Sequence, residues 1–216
     1  PTGNFEEHLK PFTEAAFHLD GPTDCASAVM PYYTVSYGVD KKNGKNVGNS
    51  YSEYLIKDLL RGKYEFKGIV CTDWDITQDP EKTIEGFGSR CYGVQDMTEA
   101  EWCLLAITNG VDQFGGNSES GPIVEAYKIG CEKYGEKAMR ERMELSAKRL
   151  LINIFHCGLF EDPYLDPEES AKIVGCEEFC RHGYEAQQKS IVLLKNSAKR
   201  APEGQKGVLP LKKGLK

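Results

Sequence analysis

The sequence predicts an α/β protein with a parallel sheet, and two observations carry that prediction. Strand and helix signals alternate three times along residues 1–160, at a spacing of roughly 40 residues, which is typical of parallel strands joined by right-handed crossovers. The stretch Gly68–Thr72 has no polar face, which suits a strand buried on both sides. Three such units cannot close an eight-stranded barrel, which takes about 200–250 residues, but they could form its second half.

Ahead of that strand the sequence predicts, in order, a helix over 5–20, a strand over 26–33, a solvated loop over 40–49 and a helix over 51–61 that Gly62 ends. The first helix is predicted from apolar residues at spacings of three and four. The second is predicted from a capping box formed by Ser50 and Glu53.

After the strand comes a glycine-containing stretch, 75–96, and loops of this length are usually functional or mobile. A second capping box, Thr98 with Glu101, predicts the next helix. The remaining elements are then a helix over 98–108, a short strand over 111–114, a helix from Gly121, a long helix over 136–158, a helix over 177–189 and a strand over 190–195.

The composition of the sequence changes after Gly158, where prolines and acidic residues become frequent. This change predicts an interdomain linker after Gly158. A helix and one strand do not make a domain, so we expect the chain to stop short. The three strand–helix units before them cannot close a barrel, so we expect the chain to begin in mid-domain.

Composition excludes several classes of function. The net charge of -6 and the lack of a dense Lys/Arg run argue against nucleic acid and anionic membranes as partners, and no apolar run approaches the roughly 20 residues of a membrane span. The eight cysteines contain no C-x-x-C pair, and Cys176, Cys180 and His182 lack a further ligand cluster, so no metal or cofactor is predicted. Reduced thiols favour the cytoplasm, although the sequence assigns no compartment.

Asp73 follows the buried strand directly, at the end where parallel α/β folds collect their reactive groups. A carboxylate beside Trp74 can be a nucleophile with an aromatic platform for a sugar ring. The alternative is that Asp73 caps the next turn while Trp74 is half-buried core. The residues alone leave both interpretations open and slightly favour the second.

Six stretches, in the right order, resemble the motifs of glycoside hydrolase family 3, the β-glucosidase and β-xylosidase type. They are Val29–Tyr33 ("VMxSYN" in the family), Leu59–Gly68 ("LLRGEWGFDG"), Val70–Trp74 ("VVSDW"), Ala106–Asp112 ("AxxAGVD"), Arg149–Tyr164 ("RiLrxKfxxGLFExPY"), and Ser190–Asn196 followed by Leu209–Leu211 ("SIVLLKN…LPL"). The last stretch separates this type from the single-domain N-acetylglucosaminidase branch.

The resemblance implies the C-terminal half of a (β/α)8 TIM-like barrel over 1–160, an interdomain linker over 161–177, and the beginning of an α/β sandwich domain over 178–216. It implies that Asp73 is the nucleophile, and that Tyr33, Trp74 and Met30 contact the substrate. Asp112 is expected to be structural. Tyr32, Thr34 and Tyr37 depart from the family pattern in the pocket wall, so the sugar preference does not carry over.

The implied function is that of a retaining exo-β-glycosidase that acts on β-linked glycosides or oligosaccharides. Its acid/base, a glutamate of the second domain, would lie outside this chain, so the chain alone is expected to be inactive. A β-xylosidase of the same family is one alternative. Another is a non-catalytic, sugar-binding half-barrel that docks onto a complementary chain carrying the remainder of the barrel and the second domain.

Overall fold

The computed structural model describes residues 3–78, 90–197, 199, 201, 203–204, 206–211 and 213–214. The chain divides into two compact units, Pro1–Glu161 and Asp162–Lys216. The elements of the first unit are helix α1 (Phe5–Lys10), π-helix π1 (Pro11–Ala16), strand β1 (Ala28–Val29), a 3₁₀ turn (Asn49–Tyr51), π-helix π2 (Glu53–Lys63), strand β2 (Ile69–Val70) and helices α2 (Glu99–Asn109), α3 (Gly121–Tyr134) and α4 (Glu136–His156).

The sheet is parallel, as predicted, but its strands are shorter than the sequence indicates. β1 pairs with β2 in the register Ala28↔Ile69 and Val29↔Val70, and a parallel bridge joins Cys71 to Gln113 on the other side. The predicted strand over 26–33 therefore forms only at Ala28–Val29, since Pro31 has no amide hydrogen to extend the ladder. The predicted strand over 111–114 is reduced to that single bridge.

The helices lie close to their predicted positions, with two corrections at π2. Ser52, and not Ser50, caps this helix, because Ser50 lies in the 3₁₀ turn and the Ser52 hydroxyl accepts from the Leu55 amide. The helix also passes through Gly62 to Lys63, where the Tyr64 amide donates to the Leu59 carbonyl, a step of five residues. The capping box of α2 is confirmed: the Thr98 hydroxyl and the Glu101 carboxylate each accept from the other's backbone amide.

Two buried apolar clusters hold the first unit together. The larger one surrounds β2, and the smaller one joins α2, α3 and α4 through Cys103, Ala126 and Met139. Gly130 allows the close approach of α3 and α4, because a Cβ there would lie 2.7 Å from the Met139 sulfur. Burial of this kind stabilises a fold by roughly 25 cal/mol per Å² of apolar surface.

The second unit contains helices α5 (Pro167–Ile173) and α6 (Glu177–Ser190). α5 lies inside the stretch predicted to be a linker, and Asp166 caps it by accepting from two amides of its first turn. The strand predicted over 190–195 is not formed: α6 extends to Ser190, and 191–197 pair with no strand among the described residues. Asn196 instead bonds both the amide and the carbonyl of Leu209.

The part of the chain that the structure describes is therefore mostly helical, with few strand residues. Within that part, no helix has both the length and the apolar character that crossing a membrane demands.

Candidate active site

Asp73 lies just beyond the C-terminal end of β2, where the backbone leaves the sheet. The residue is buried, with 8% of its surface exposed. Its Oδ1 atom accepts a hydrogen bond of 2.7 Å from the amide of Trp74. Two residues on, Asp75 has a φ of +57°, a left-handed conformation that aspartate tolerates in turns.

Tyr33 follows β1 and brings its hydroxyl to Asp73. Asp73 lies close enough to influence the Tyr33 hydroxyl, and the Tyr33 ring is half-buried. Burial and the nearby Asp73 carboxylate raise the pKa of Tyr33 above its usual value, and the charge of Arg90 partly opposes that rise. The phenol therefore keeps its proton at neutral pH and can act as a hydrogen-bond donor.

Trp74 lies beside Asp73 with 56% of its surface exposed. The glycine pair Gly115–Gly116 lies against its indole: a Cβ at Gly115 would be 3.0 Å from Cε3, and one at Gly116 would be 2.7 Å from Cδ1. The Gly115 amide is fixed by the Thr72 hydroxyl at 2.9 Å. Trp74 is thus supported from both of its rings while much of the indole stays open to solvent.

Met30 is placed differently from these three residues. It is 51% exposed and lines an apolar cavity of about 210 Å³, together with residues of α1, π1 and π2. Tyr32, one of the departures from the family pattern, also lines this cavity, whereas Asp73 is not among its lining residues. The structure therefore brings Tyr33, Asp73 and Trp74 together, and the role of Met30 stays a prediction.

Asp112 is the centre of a buried ion cluster that the sequence did not predict. Its side chain is fully enclosed and pairs with Arg61 at 2.6 Å, Arg142 at 3.2 Å and Arg149 at 2.9 Å. Ser146 donates to it at 2.7 Å and the Val70 amide at 3.0 Å. These contacts agree with the structural role that the family resemblance implied for Asp112.

Among the residues that the structure describes, three guanidinium groups surround one carboxylate, so the charges of this cluster do not balance. Burial alone would raise the pKa of Asp112, but hydrogen bonds from Ser146, the Val70 amide and Arg149 outweigh it and hold that pKa below its usual value. Burial and the like charge of Arg149 lower the pKa of Arg61 to about 10.

Arg90 is the site residue that the sequence analysis missed. It is buried, with 6% of its surface exposed, and it bonds both Tyr33 and the backbone of Trp74. The only signal in the sequence was regional, since Arg90 falls in the stretch 75–96 that was predicted to be functional or mobile. No short motif marks the arginine itself.

The described residues bring together no group of three or more histidine, cysteine, aspartate or glutamate side chains that could hold a metal ion. All eight cysteines are free thiols. Burial raises the pKa of the Cys103 thiol to about 12, which suits a core side chain.

Comparison with known proteins gives relatives along nearly the whole chain, although no protein-family model matches it. A probable β-glucosidase C of Aspergillus flavus is 35% identical over 213 residues, which are 99% of this chain and 30% of that protein. A periplasmic β-glucosidase/β-xylosidase of Dickeya chrysanthemi is 33% identical over 224 residues, covering 98% of this chain and 31% of that protein. The chain thus spans less than a third of the length of these relatives.

Solved structures give the same result for the fold. A β-glucoside phosphorylase bound to 2FGlc matches 88% of this chain and 31% of its own, with a TM-score of 0.61 and 21% identity. A β-glucosidase from Listeria innocua matches 72% of this chain and 20% of its own, with a TM-score of 0.51 and 25% identity. The resemblance is therefore confirmed: along nearly its whole length this chain is homologous to the β-glucosidases and β-xylosidases of glycoside hydrolase family 3.

Proposed function

We propose that this chain carries the nucleophile of a retaining exo-β-glycosidase, with Asp73 in that role and β-glucosides as the leading substrate class. The observation that supports this most is the placement of Asp73 at the end of a buried parallel strand, with its carboxylate bonded by the Trp74 amide and the Tyr33 hydroxyl nearby. The bond from the Trp74 amide orients the carboxylate. The homology to β-glucosidases gives the reaction class, and the name of one relative keeps β-xylosides as the alternative.

In the first step of this mechanism, an oxygen of Asp73 bonds to the anomeric carbon of the sugar. The glycosidic C–O bond breaks, and the leaving oxygen takes a proton from a carboxylic acid about 5–5.5 Å from Asp73. In the second step, water attacks the anomeric carbon, its proton passes to the same group, and the bond to Asp73 breaks to restore the carboxylate. The acid/base is proposed to be a glutamate outside this chain.

Trp74 is proposed to form the platform of the sugar-binding site. An exposed indole presents a flat apolar surface that suits the apolar face of a pyranose ring. The contacts of Gly115 and Gly116 hold that surface in place before the substrate arrives. Met30 is proposed as a further substrate contact, on the family resemblance alone.

The domain organisation belongs to the same proposal. Residues 1–160 would form the second half of a (β/α)8 barrel and 178–216 the start of the sandwich domain, with 161–177 between them. The remainder of the barrel and of the second domain would come from the same or a complementary chain. On this basis the chain by itself is expected to be inactive.

The proposal is tested by trapping the covalent intermediate in the complete protein with a 2-deoxy-2-fluoro-β-glucoside that carries an activated leaving group. We expect mass spectrometry to find one glycosyl label on the peptide that contains Asp73. Asp73→Asn should abolish the label and lower kcat by at least about 10³-fold. Asp58→Asn is the matched control, because Asp58 forms a surface pair with Lys42 at 2.9 Å and should leave both unchanged.

The main competitor is a non-catalytic, sugar-binding subunit. Binding of the glycoside without any label, and without release of the leaving group, would favour it and would refute the nucleophile. The assay is run with and without phosphate, because one structural neighbour is named a phosphorylase. Free sugar as the product in both conditions supports hydrolysis.

A further inference from the structure

Arg90 connects the two sides of the candidate site. Its Nη1 atom donates to the Tyr33 hydroxyl at 3.1 Å and to the Trp74 carbonyl at 2.7 Å. Its guanidinium carbon lies 4.3 Å from the centroid of the Tyr33 ring, within the range of a cation–π contact. A charged group this deeply buried needs such partners, because an unpaired buried charge is strongly unfavourable.

The direction of these hydrogen bonds follows from chemistry alone. A guanidinium group has only donors, so the Tyr33 oxygen must be the acceptor of the bond from Arg90. The hydrogen of the Tyr33 hydroxyl is then free to point away from Arg90. The ionised carboxylate of Asp73 has only acceptors and lies near Tyr33, so it is the group placed to receive that hydrogen. Arg90, Tyr33 and Asp73 then form a series in which Arg90 donates to Tyr33 and Tyr33 can donate to Asp73.

We propose that Arg90 is a positioning residue for the nucleophile, acting through the Tyr33 hydroxyl. This inference rests on the function proposed above. When the glycosyl–enzyme bond breaks, negative charge returns to Asp73, and a hydroxyl already aimed at that carboxylate stabilises the charge without reorientation. Arg90 keeps the hydroxyl so aimed, because it occupies the oxygen from the other side and packs on the ring.

The test is a double-mutant cycle in the complete protein, with Arg90→Met, Tyr33→Phe and the double variant. The substrate is an aryl glycoside with a good leaving group, so that breakdown of the glycosyl–enzyme limits kcat. Losing one hydrogen bond of a charged donor should lower kcat roughly 10- to 100-fold in Arg90→Met. In the Tyr33→Phe background, Arg90→Met should lower kcat by less than about 3-fold, because the hydroxyl that Arg90 orients is already gone.

Arg90→Lys gives the conservative comparison. A lysine keeps a positive donor but loses the planar fork, so its kcat should lie between those of the wild type and Arg90→Met. Losses that multiply in the double variant, or an unchanged kcat in Arg90→Met, would overturn the positioning role. If neither Arg90 variant folds, as judged by thermal unfolding, Arg90 belongs to the fold and the proposal is equally overturned.

Labelling of Asp73 in the wild-type protein distinguishes a failure of the proposed function from a failure of the role assigned to Arg90. A label on Asp73 together with multiplying losses would leave the proposed function intact and remove only the role of Arg90. A wild-type protein that turns over glycosides with no label on Asp73 would remove both.

Discussion

Replacing the buried Asp112 should be among the most destabilising single changes in the first unit. Its carboxylate accepts from three arginines, from Ser146 and from the Val70 amide, and its side chain has no exposed surface. Asp112→Asn keeps the size of the side chain but removes the only anion that the described residues supply to the cluster, and it turns one acceptor into a donor. Leaving buried charges without their partner typically costs about 3–5 kcal/mol.

The control for this change is Asp58→Asn, which removes a pair on the surface. Lys42, the partner of Asp58, has 62% of its side chain exposed, and pairs of this kind are worth about 0–1 kcal/mol. Unfolding in urea gives the global free energy for both variants. Hydrogen–deuterium exchange of the peptide 66–72 gives a local readout, because the Val70 amide is bonded to Asp112. If the free energies of unfolding of Asp112→Asn and Asp58→Asn differ by less than about 1 kcal/mol, the buried cluster does not stabilise the fold as argued.

The pH dependence of the stability lost in Asp112→Asn supplies a second check. Its sign follows from the lowered pKa of Asp112. A carboxyl whose pKa is lower in the folded state stabilises the fold above its ordinary value of about 4. That stabilisation is lost as the pH falls through the folded value, because Asp112 then becomes neutral. The difference in free energy of unfolding between wild type and Asp112→Asn should therefore be largest at neutral pH and should decrease below about pH 4.

Two further changes test features of the structure away from this cluster. Thr98→Ala removes the capping box of α2 and should lower stability by about 1 kcal/mol in urea unfolding, whereas Thr98→Ser should cost much less. Gly116→Ala adds a Cβ 2.7 Å from the Trp74 indole at a φ of +70°, so it should displace the indole. A shift in tryptophan fluorescence is expected, and an unchanged spectrum with unchanged stability would contradict the contact.

Local features of the fold could be read from the sequence. The helices α3 and α4 and the capping box of α2 depend on residues within one or two turns, so spacing and end signals were enough to predict them. Two of the predicted strands, β1 and β2, lie in the right places but are shorter than predicted, because the length of a strand depends on its neighbour's backbone. The stretch 191–197 shows this most clearly: it has a strand-like sequence, yet no partner among the described residues.

The candidate site was predictable only in part for the same reason. Asp73, Trp74 and Tyr33 stand in motifs that the family resemblance marks, and the structure brings them together. Arg90 lies 57 residues from Tyr33 in sequence, and Arg61 lies 51 residues from Asp112. Pairings over such distances leave no periodicity or local motif, so a single sequence cannot indicate them.

The ion cluster and the candidate site are connected through β2. Val70 bonds Asp112, and Asp73 follows three residues later, a span of roughly 10 Å along an extended chain. Arg61 also bonds the carbonyl of Gly68, immediately before the strand. The cluster therefore holds the backbone of β2 in place on both sides of Ile69. The position of β2 in turn decides where Asp73 lies beyond the C-terminal end of the strand. On this argument the buried arginines contribute to the placement of the carboxylate without any contact to the substrate.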